Sequence, residues 1–173
     1  IDVPIKEIGG KYPMILKTAR GTQGVGVIFI DSRKTLLSTM QLINKIGENE
    51  AIIIQEYIKT SYDVRVMVLN NEIIGQLKRP IVAGDFRSNV SQGSLPLKME
   101  LTELEKSETL KAAKSVKGIW LGVDFIPSKD RENIPPYLIE INSSPGTGHI
   151  DEINGTDIYK TILSHFKNRD NWT

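Results

Sequence analysis

The sequence predicts an α+β protein of two lobes, each built on short strands that pair antiparallel. Three observations predict it. The strand-like stretches are short, and most are joined by connections too brief for the crossover helix that a parallel pair needs. Two stretches carry apolar residues at helical spacing, and a third opens on a capping box. The third observation is the stretch Pro136-Tyr137-Leu138-Ile139-Glu140-Ile141-Asn142-Ser143-Ser144-Pro145-Gly146, which alternates like a strand and ends in a polar turn. Strict alternation would put Tyr137, Ile139 and Ile141 on one face and Leu138, Glu140 and Asn142 on the other. A carboxylate and an amide at the end of an apolar strand have no structural purpose, because a buried carboxylate without a partner is costly. A hard cation would supply the purpose.

In chain order, Pro13-Met14-Ile15-Leu16-Lys17 reads as a buried strand ending in a cation. A loop with three glycines follows, Thr18-Ala19-Arg20-Gly21-Thr22-Gln23-Gly24-Val25-Gly26, and then a second strand over residues 25–30. Strand, glycine loop and strand make a hairpin. Leu36, Leu37, Met40, Ile43 and Ile46 recur at helical spacing, with Asp31 or Ser32 as the N-cap and Gly47 as the stop. Residues 51–57 return as a strand, closing a small lobe over residues 1–60. A larger lobe covers residues 61–173. There, Val64, Val66 and Val68 alternate against Arg65, Met67 and Leu69. Asn70-Asn71 supplies a tight turn, since asparagine tolerates the left-handed conformation. Residues 72–79 form the partner strand, and residues 85–97 a glycine-, serine- and asparagine-bearing loop. Thr102 and Glu105 match a capping box and open a helix through Val116 that stops at Gly118. Residues 120–126 are a strand, paired across a polar loop with the strand that opened this description. Thr156 or Asp157 caps a last helix with Ile158, Ile162, Leu163 and Phe166 on one face, and residues 168–173 are expected to fray.

Bulk properties exclude several classes. The 173 residues are 39% hydrophobic, enough to bury a core. A net charge of +1 argues against bulk electrostatic attachment to nucleic acid or membrane. The absence of cysteine excludes disulfides, thiolate metal sites and cysteine nucleophiles, and fits a reducing compartment, so a cytoplasmic location is expected. Apolar runs such as Ala51-Ile52-Ile53-Ile54 fall far short of the roughly 20 residues a spanning helix needs. No signal peptide is visible. The chain starts at Ile1, directly before strand-like sequence, which points to a fragment or a processed chain.

Four constellations carry possible chemistry, each with an ordinary alternative. Asp124 and Glu140 lie on strands expected to pair. If they share a face, their Cβ atoms stand about 5 Å apart, with Asn142 beside them. Such an oxygen set suits Mg²⁺ or Mn²⁺, and two exposed strand-end carboxylates are an equally open reading. The glycine loop with Lys17 offers backbone N–H groups and a point charge to phosphate. It lacks the P-loop ending and is followed by a strand, so a plain hairpin tip is the alternative. Gln55-Glu56-Tyr57-Ile58 and Asp63 would form a hinge able to read an adenine edge and ribose hydroxyls, or an ordinary strand end. Lys78 and Arg79 with Asp85-Phe86-Arg87-Ser88-Asn89 could hold phosphate or carboxylate in bidentate fashion, or form a solvated loop. His149 reaches either the site or solvent, and His165 is assigned nothing.

Together these segments closely resemble the ATP-grasp superfamily and, within it, the RimK-type glutamate ligases. The carriers are Lys17 with Gly21-Thr22-Gln23-Gly24-Val25-Gly26-Val27, then Gln55-Glu56-Tyr57-Ile58-Lys59, Asp63-Val64-Arg65, Gly84-Asp85-Phe86-Arg87-Ser88-Asn89, Gly122-Val123-Asp124, and Glu140-Ile141-Asn142-Ser143-Ser144-Pro145-Gly146. They occur in the family's order from about Pro13 to about Ile162.

The resemblance implies an ATP-grasp fold whose two lobes clasp ATP. It implies that Lys17 and a loop carrying Gly21, Gln23, Gly24 and Gly26 hold phosphate, that Glu56, Tyr57 and Ile58 hold adenine, and that Asp63 holds ribose. Asp124, Glu140 and Asn142 would carry Mg²⁺ or Mn²⁺. Arg79 and Arg87 would stabilise an acylphosphate, with Ser88 and Asn89 beside the nucleotide and Arg65 structural. The implied activity is an ATP-dependent carboxylate–amine ligase joining an amino-acid, peptide or protein carboxylate to an amine acceptor, for instance adding glutamate to a protein or peptide. The alternatives are a small-molecule ligase and a non-catalytic ATP-binding module with an assembly or regulatory role. A homo-oligomer is possible by analogy, and neither nucleic acid nor membrane is an expected partner. The family carries a further N-terminal domain and an upstream phosphate-binding lysine, and this sequence begins too late to show either, Lys6 and Lys11 being poor candidates. The chain departs from the pattern in carrying Lys78 where an arginine is usual, Gly93-Ser94 for a double glycine, and Gly148-His149-Ile150 after the turn.

Overall fold

In the computed structural model, residues 10–18, 25–46, 51–82, 86 and 95–168 are described. The chain divides into two compact units, Ile1–Lys59 and Thr60–Thr173.

The first unit holds a three-stranded sheet of β1 (Met14–Thr18), β2 (Val27–Ile30) and β3 (Ile52–Glu56), in the order β2-β1-β3 with both pairings antiparallel. The hairpin read from strand, glycine loop and strand is therefore present. Helix α1 (Arg33–Ile46) starts at Ser32, whose hydroxyl accepts a hydrogen bond from the Thr35 N–H at 3.2 Å. That satisfies one of the donors a helix start leaves without a partner. Leu36 is buried against Met14, Leu16 and Ile30, with Met40 and Ile43 partly packed. Leu37 and Ile46, also expected on that face, are 39% and 76% exposed. The expected stop at Gly47 lies outside the described residues. Because strand side chains alternate, Ile15 and Lys17 project from the sheet face opposite α1. Their register partners are Phe29 and Val27 on one side and Gln55 and Ile53 on the other.

The second unit is organised by β4 (Tyr62–Leu69), with β5 (Glu72–Pro80), β6 (Trp120–Ile126) and β7 (Tyr137–Asn142) in the all-antiparallel order β5-β4-β6-β7. Asn70 and Asn71 both take positive φ, 47° and 65°, as a tight two-residue turn requires. One sheet face carries Val64, Val66, Val68, Leu121, Val123 and Phe125, clustered with Ala112 and Ala113 of α2 (Glu103–Ser115). Burying a side chain such as Phe125 contributes about 1.5–3 kcal/mol. Helix α2 has the expected capping box between Thr102 and Glu105. Its left-handed closing residue is Lys117 (φ 55°), one position before the glycine that was expected to stop it.

The other face carries Met67, Leu69 and Leu77, which cluster with Ile150, Ile158 and Ile162. These last residues belong to α3 (Ile150–Asn154) and α4 (Ile158–Lys167). Helix α3 was not expected: five residues are too few for a periodic signal. Asn154 closes it onto the sheet, its amide donating to the Gln76 carbonyl at 2.9 Å and accepting from the Gln76 N–H at 3.3 Å, much as a neighbouring strand would. Asp157, one of two expected caps, accepts from the Lys160 N–H at 2.9 Å. Among the described residues, no helix is long and apolar enough to cross a membrane.

Strict alternation in β7 does not hold. The register shifts between Asp124 and Phe125, pairing Asp124 with Glu140 but Phe125 with Leu138 and Ile126 with Tyr137. The extra residue is Ile139, as in a β-bulge. Tyr137 therefore shares a face with Glu140 and Asn142, and Leu138 joins the face of Ile141.

Candidate functional site

Along β4, residues 63 and 65 lie on the same face as Met67 and Leu69, so one strand feeds an apolar cluster at one end and a charged one at the other. Register then decides which groups meet. Arg65 stands opposite Asp124, and Asp124 opposite Glu140, placing the three in one row across β4, β6 and β7. Asp63 stands opposite Arg79 on β5.

The side chains follow the register. Arg79 forks onto Asp63, Nε donating to Oδ1 at 2.7 Å and Nη2 to Oδ2 at 2.6 Å, and Nη2 also donates to Asp124 Oδ2 at 2.8 Å. Arg65 forks onto Asp124, Nε to Oδ1 at 2.8 Å and Nη2 to Oδ2 at 2.6 Å, and lies 3.9 Å from Glu140 Oε1. The Asn142 amide donates to Glu140 Oε1 at 2.8 Å. Asp63, Arg79 and Asp124 are only 5%, 5% and 2% exposed. Burial pushes the Asp124 carboxyl up. The hydrogen bonds from Arg65 and the positive charges of Arg79 and Arg65 outweigh it, leaving the group below its ordinary value. Burial likewise opposes the charge on Arg79, and the two aspartates raise it well above its ordinary value. Such a network is stable because every buried charge is matched by forked hydrogen bonds.

Two of the residues expected at the nucleotide and the acylphosphate are engaged with each other. Asp63, expected at a ribose, is buried with both oxygens given to Arg79. Arg79, expected to meet an acylphosphate, is buried and engaged by two carboxylates, Asp63 and Asp124. The contact follows from the β4–β5 register, which puts a carboxylate near the start of β4 directly opposite an arginine near the end of β5. Arg65, set aside as structural, proves to be the group in closest contact with Asp124. Its signal was its position two residues after Asp63 on a strand that otherwise alternates with valine.

Gly122 sits opposite Asn142, and a Cβ there would come within 2.5 Å of Pro145. The turn after Asn142 thus folds back over bare backbone, which holds the strand end in place. Lys78 lies on the opposite face from Arg79, its Nζ 4.0 Å from the centre of the Tyr62 ring, so these neighbours in sequence do not converge. His149 is exposed, at φ 65°, with Nδ1 3.3 Å from Glu152 Oε2.

In the first unit, Lys17 projects between Val27 and Ile53. Glu56 ends β3, and Tyr57 meets Phe29 edge-on with ring centres 5.0 Å apart; Ile58 follows, half-buried. Gly26 takes φ +83° and its carbonyl accepts from the Thr18 N–H at 3.1 Å. A side chain there would strike Thr18, so glycine is required locally. Gly21, Gln23, Gly24, Arg87, Ser88 and Asn89 lie outside the described residues.

The donors fit a hard divalent cation. Asp124, Glu140 and Asn142 offer oxygens from one face, and Glu140 is 45% exposed. Among the described residues, no group of three or more histidine or acidic side chains is placed to hold a metal. A two-carboxylate set matches Mg²⁺, which takes one or two carboxylates and completes its shell with phosphate and water.

Comparison with solved structures defines the class first. The chain superposes on the D-alanine–D-alanine ligase of Bacillus anthracis complexed with ATP, with TM-score 0.68 and 20% identity over 92% of this chain and 52% of that one. It also superposes on the ATP-grasp ligase PsnB complexed with a phosphomimetic precursor variant, Mg and ADP, with TM-score 0.63 and 19% identity over 92% and 48%. The fold is ATP-grasp. More narrowly, residues 2–166 match the model of the RimK-like ATP-grasp domain, and the chain belongs to that family. It is 35% identical over 165 residues to a probable alpha-L-glutamate ligase 2 of Pseudoalteromonas atlantica, covering 94% of this chain and 52% of the relative. A probable alpha-L-glutamate ligase of Picosynechococcus is 33% identical over 96% and 54%. The chain thus spans about half the length of these relatives.

Proposed function

We propose that the chain is the nucleotide-binding and catalytic part of an ATP-dependent carboxylate–amine ligase that adds glutamate to a protein or peptide. The observation that carries this reading is the register of Asp124 opposite Glu140 with Asn142 on the same face. The names of the relatives and the ATP, ADP and Mg bound by the structural neighbours support it.

In this reading, Lys17 and the loop with Gly21, Gln23, Gly24 and Gly26 neutralise and orient the phosphates, the glycines leaving backbone N–H groups accessible. Glu56, Tyr57 and Ile58 hold the adenine. Asp124, Glu140 and Asn142 hold Mg²⁺, or Mn²⁺, which would draw charge from the phosphate oxygens when bound. A substrate carboxylate oxygen bonds to the γ-phosphorus while the bond to the β,γ-bridging oxygen breaks, giving an acylphosphate and ADP. An amine then attacks the acyl carbon, phosphate leaves, and the nitrogen loses a proton. Arg87, Ser88 and Asn89 serve the transferred phosphoryl group. Asp63 and Arg79 hold Asp124 at its station. Chemistry of this kind depends on placement and charge neutralisation more than on an enzyme nucleophile.

The test is phosphate release by the full chain from ATP·Mg²⁺ with glutamate and a peptide panel. Glu140→Gln is the informative variant, because Glu140 is half exposed and its loss spares the buried network. Turnover is expected to fall on the order of a hundredfold with the melting temperature unchanged. Wild-type turnover in Glu140→Gln would sink the reading.

A further inference from the structure

Asp124 and Glu140 face each other across two strands with like charge. Two carboxylates so placed repel until something positive stands with them. Among the described residues, Arg65 is the one cationic side chain in ion-pair range of both. Its hold is unequal: 2.8 and 2.6 Å to Asp124, in fork geometry, against 3.9 Å to Glu140, outside hydrogen-bond reach. Asp124 has a second cation in Arg79 at 2.8 Å. Glu140 is instead steadied by the Asn142 amide at 2.8 Å and is the more exposed of the two carboxylates.

We propose that Arg65 is a built-in counter-cation for the Asp124–Glu140 pair, holding the carboxylates in register before a divalent cation arrives and yielding Glu140 to it on binding. The inference rests on the metal reading above. Asp124 stays forked to Arg65 throughout, while Glu140, held only at long range, changes partner. Arg65 and the incoming cation compete for the same negative charge, so each weakens the other's hold. Arg65 acts through Asp124 and Glu140, which makes it a positioning residue.

The competition has a sign that a scaffold role lacks. A scaffold arginine, once removed, leaves Asp124 misplaced and metal binding weaker; a competing arginine leaves it tighter. The probe is Mn²⁺ alone, without nucleotide, titrated into the full chain and followed by electron paramagnetic resonance of the unbound ion. Arg65→Met is expected to bind Mn²⁺ about tenfold tighter than wild type. Its melting temperature in chelator should fall and recover on adding Mn²⁺ by more than wild type gains. Arg65→Lys keeps the charge without the fork and is expected to fall between the two. It carries the test alone if Arg65→Met does not fold. Equal or weaker Mn²⁺ binding in the folded variants overturns the proposal. Glu140→Gln separates this failure from failure of the metal reading: it should abolish Mn²⁺ binding, and if it binds as wild type does, the metal reading itself is wrong.

Discussion

The two ends of one face of the four-stranded sheet are built on opposite principles. At one end Met67, Leu69 and Leu77 meet Ile150, Ile158 and Ile162, a cluster that needs only shape and volume. At the other, Asp63, Arg65, Arg79 and Asp124 form a chain of forked ion pairs, almost as deeply buried. The first kind of contact stabilises by removing apolar surface from water. The second offsets a large desolvation cost with Coulomb attraction and hydrogen bonds, and a well-packed apolar replacement is often as stable or more so. Stability alone therefore gives no reason for the charged end. Its reason is that it holds Asp124, ionised and oriented, beside Glu140.

The contrast predicts different responses to damage. The largest is expected from Arg79→Leu, which removes the forked partner of buried Asp63 and one of the two cations at Asp124; about 3–5 kcal/mol of stability should be lost, read from urea unfolding. Met67→Ala at the apolar end should cost about 2–5 kcal/mol through a cavity, with no change in the pH dependence of unfolding. If Arg79→Leu proves neutral, Arg79 is not needed to offset the buried carboxylates.

A second difference appears in acid. The folded-state value of Asp124 is lowered, so its contribution is complete above the unfolded carboxylate value of about 3.9. It is lost as pH falls through the lower folded value. Urea titrations at descending pH should show stability dropping below about pH 4, with a shallower drop in Asp124→Asn. The smallest effect is expected at Lys78, on the opposite face. Lys78→Met removes the contact with the Tyr62 ring and should cost about 0.5–1 kcal/mol without altering Mn²⁺ binding. A change in metal binding there would show that the two faces are coupled.

Much of the fold was legible because its signals are local. The asparagine pair announced its turn, Thr102 and Glu105 their capping box, and the valines of β4 their face. The family followed from motifs in order, and the pairing of Asp124 with Glu140 from two strands joined by a short loop. Helix α3 is too short to show a period, and the bulge at Ile139 inverts the expected faces of Tyr137 and Leu138, because one inserted residue reverses a period of two.

By itself, then, the sequence determined which residues carry oxygen and charge, and on which strands they stand. Only the tertiary structure decided their partners. Asp63 went to Arg79 through the register of the β4–β5 hairpin, and Arg65 to Asp124 because the order β5-β4-β6-β7 places β6, distant in sequence, beside β4. Pairing is a property of register between strands, and a linear pattern of alternation specifies a face without specifying its neighbour.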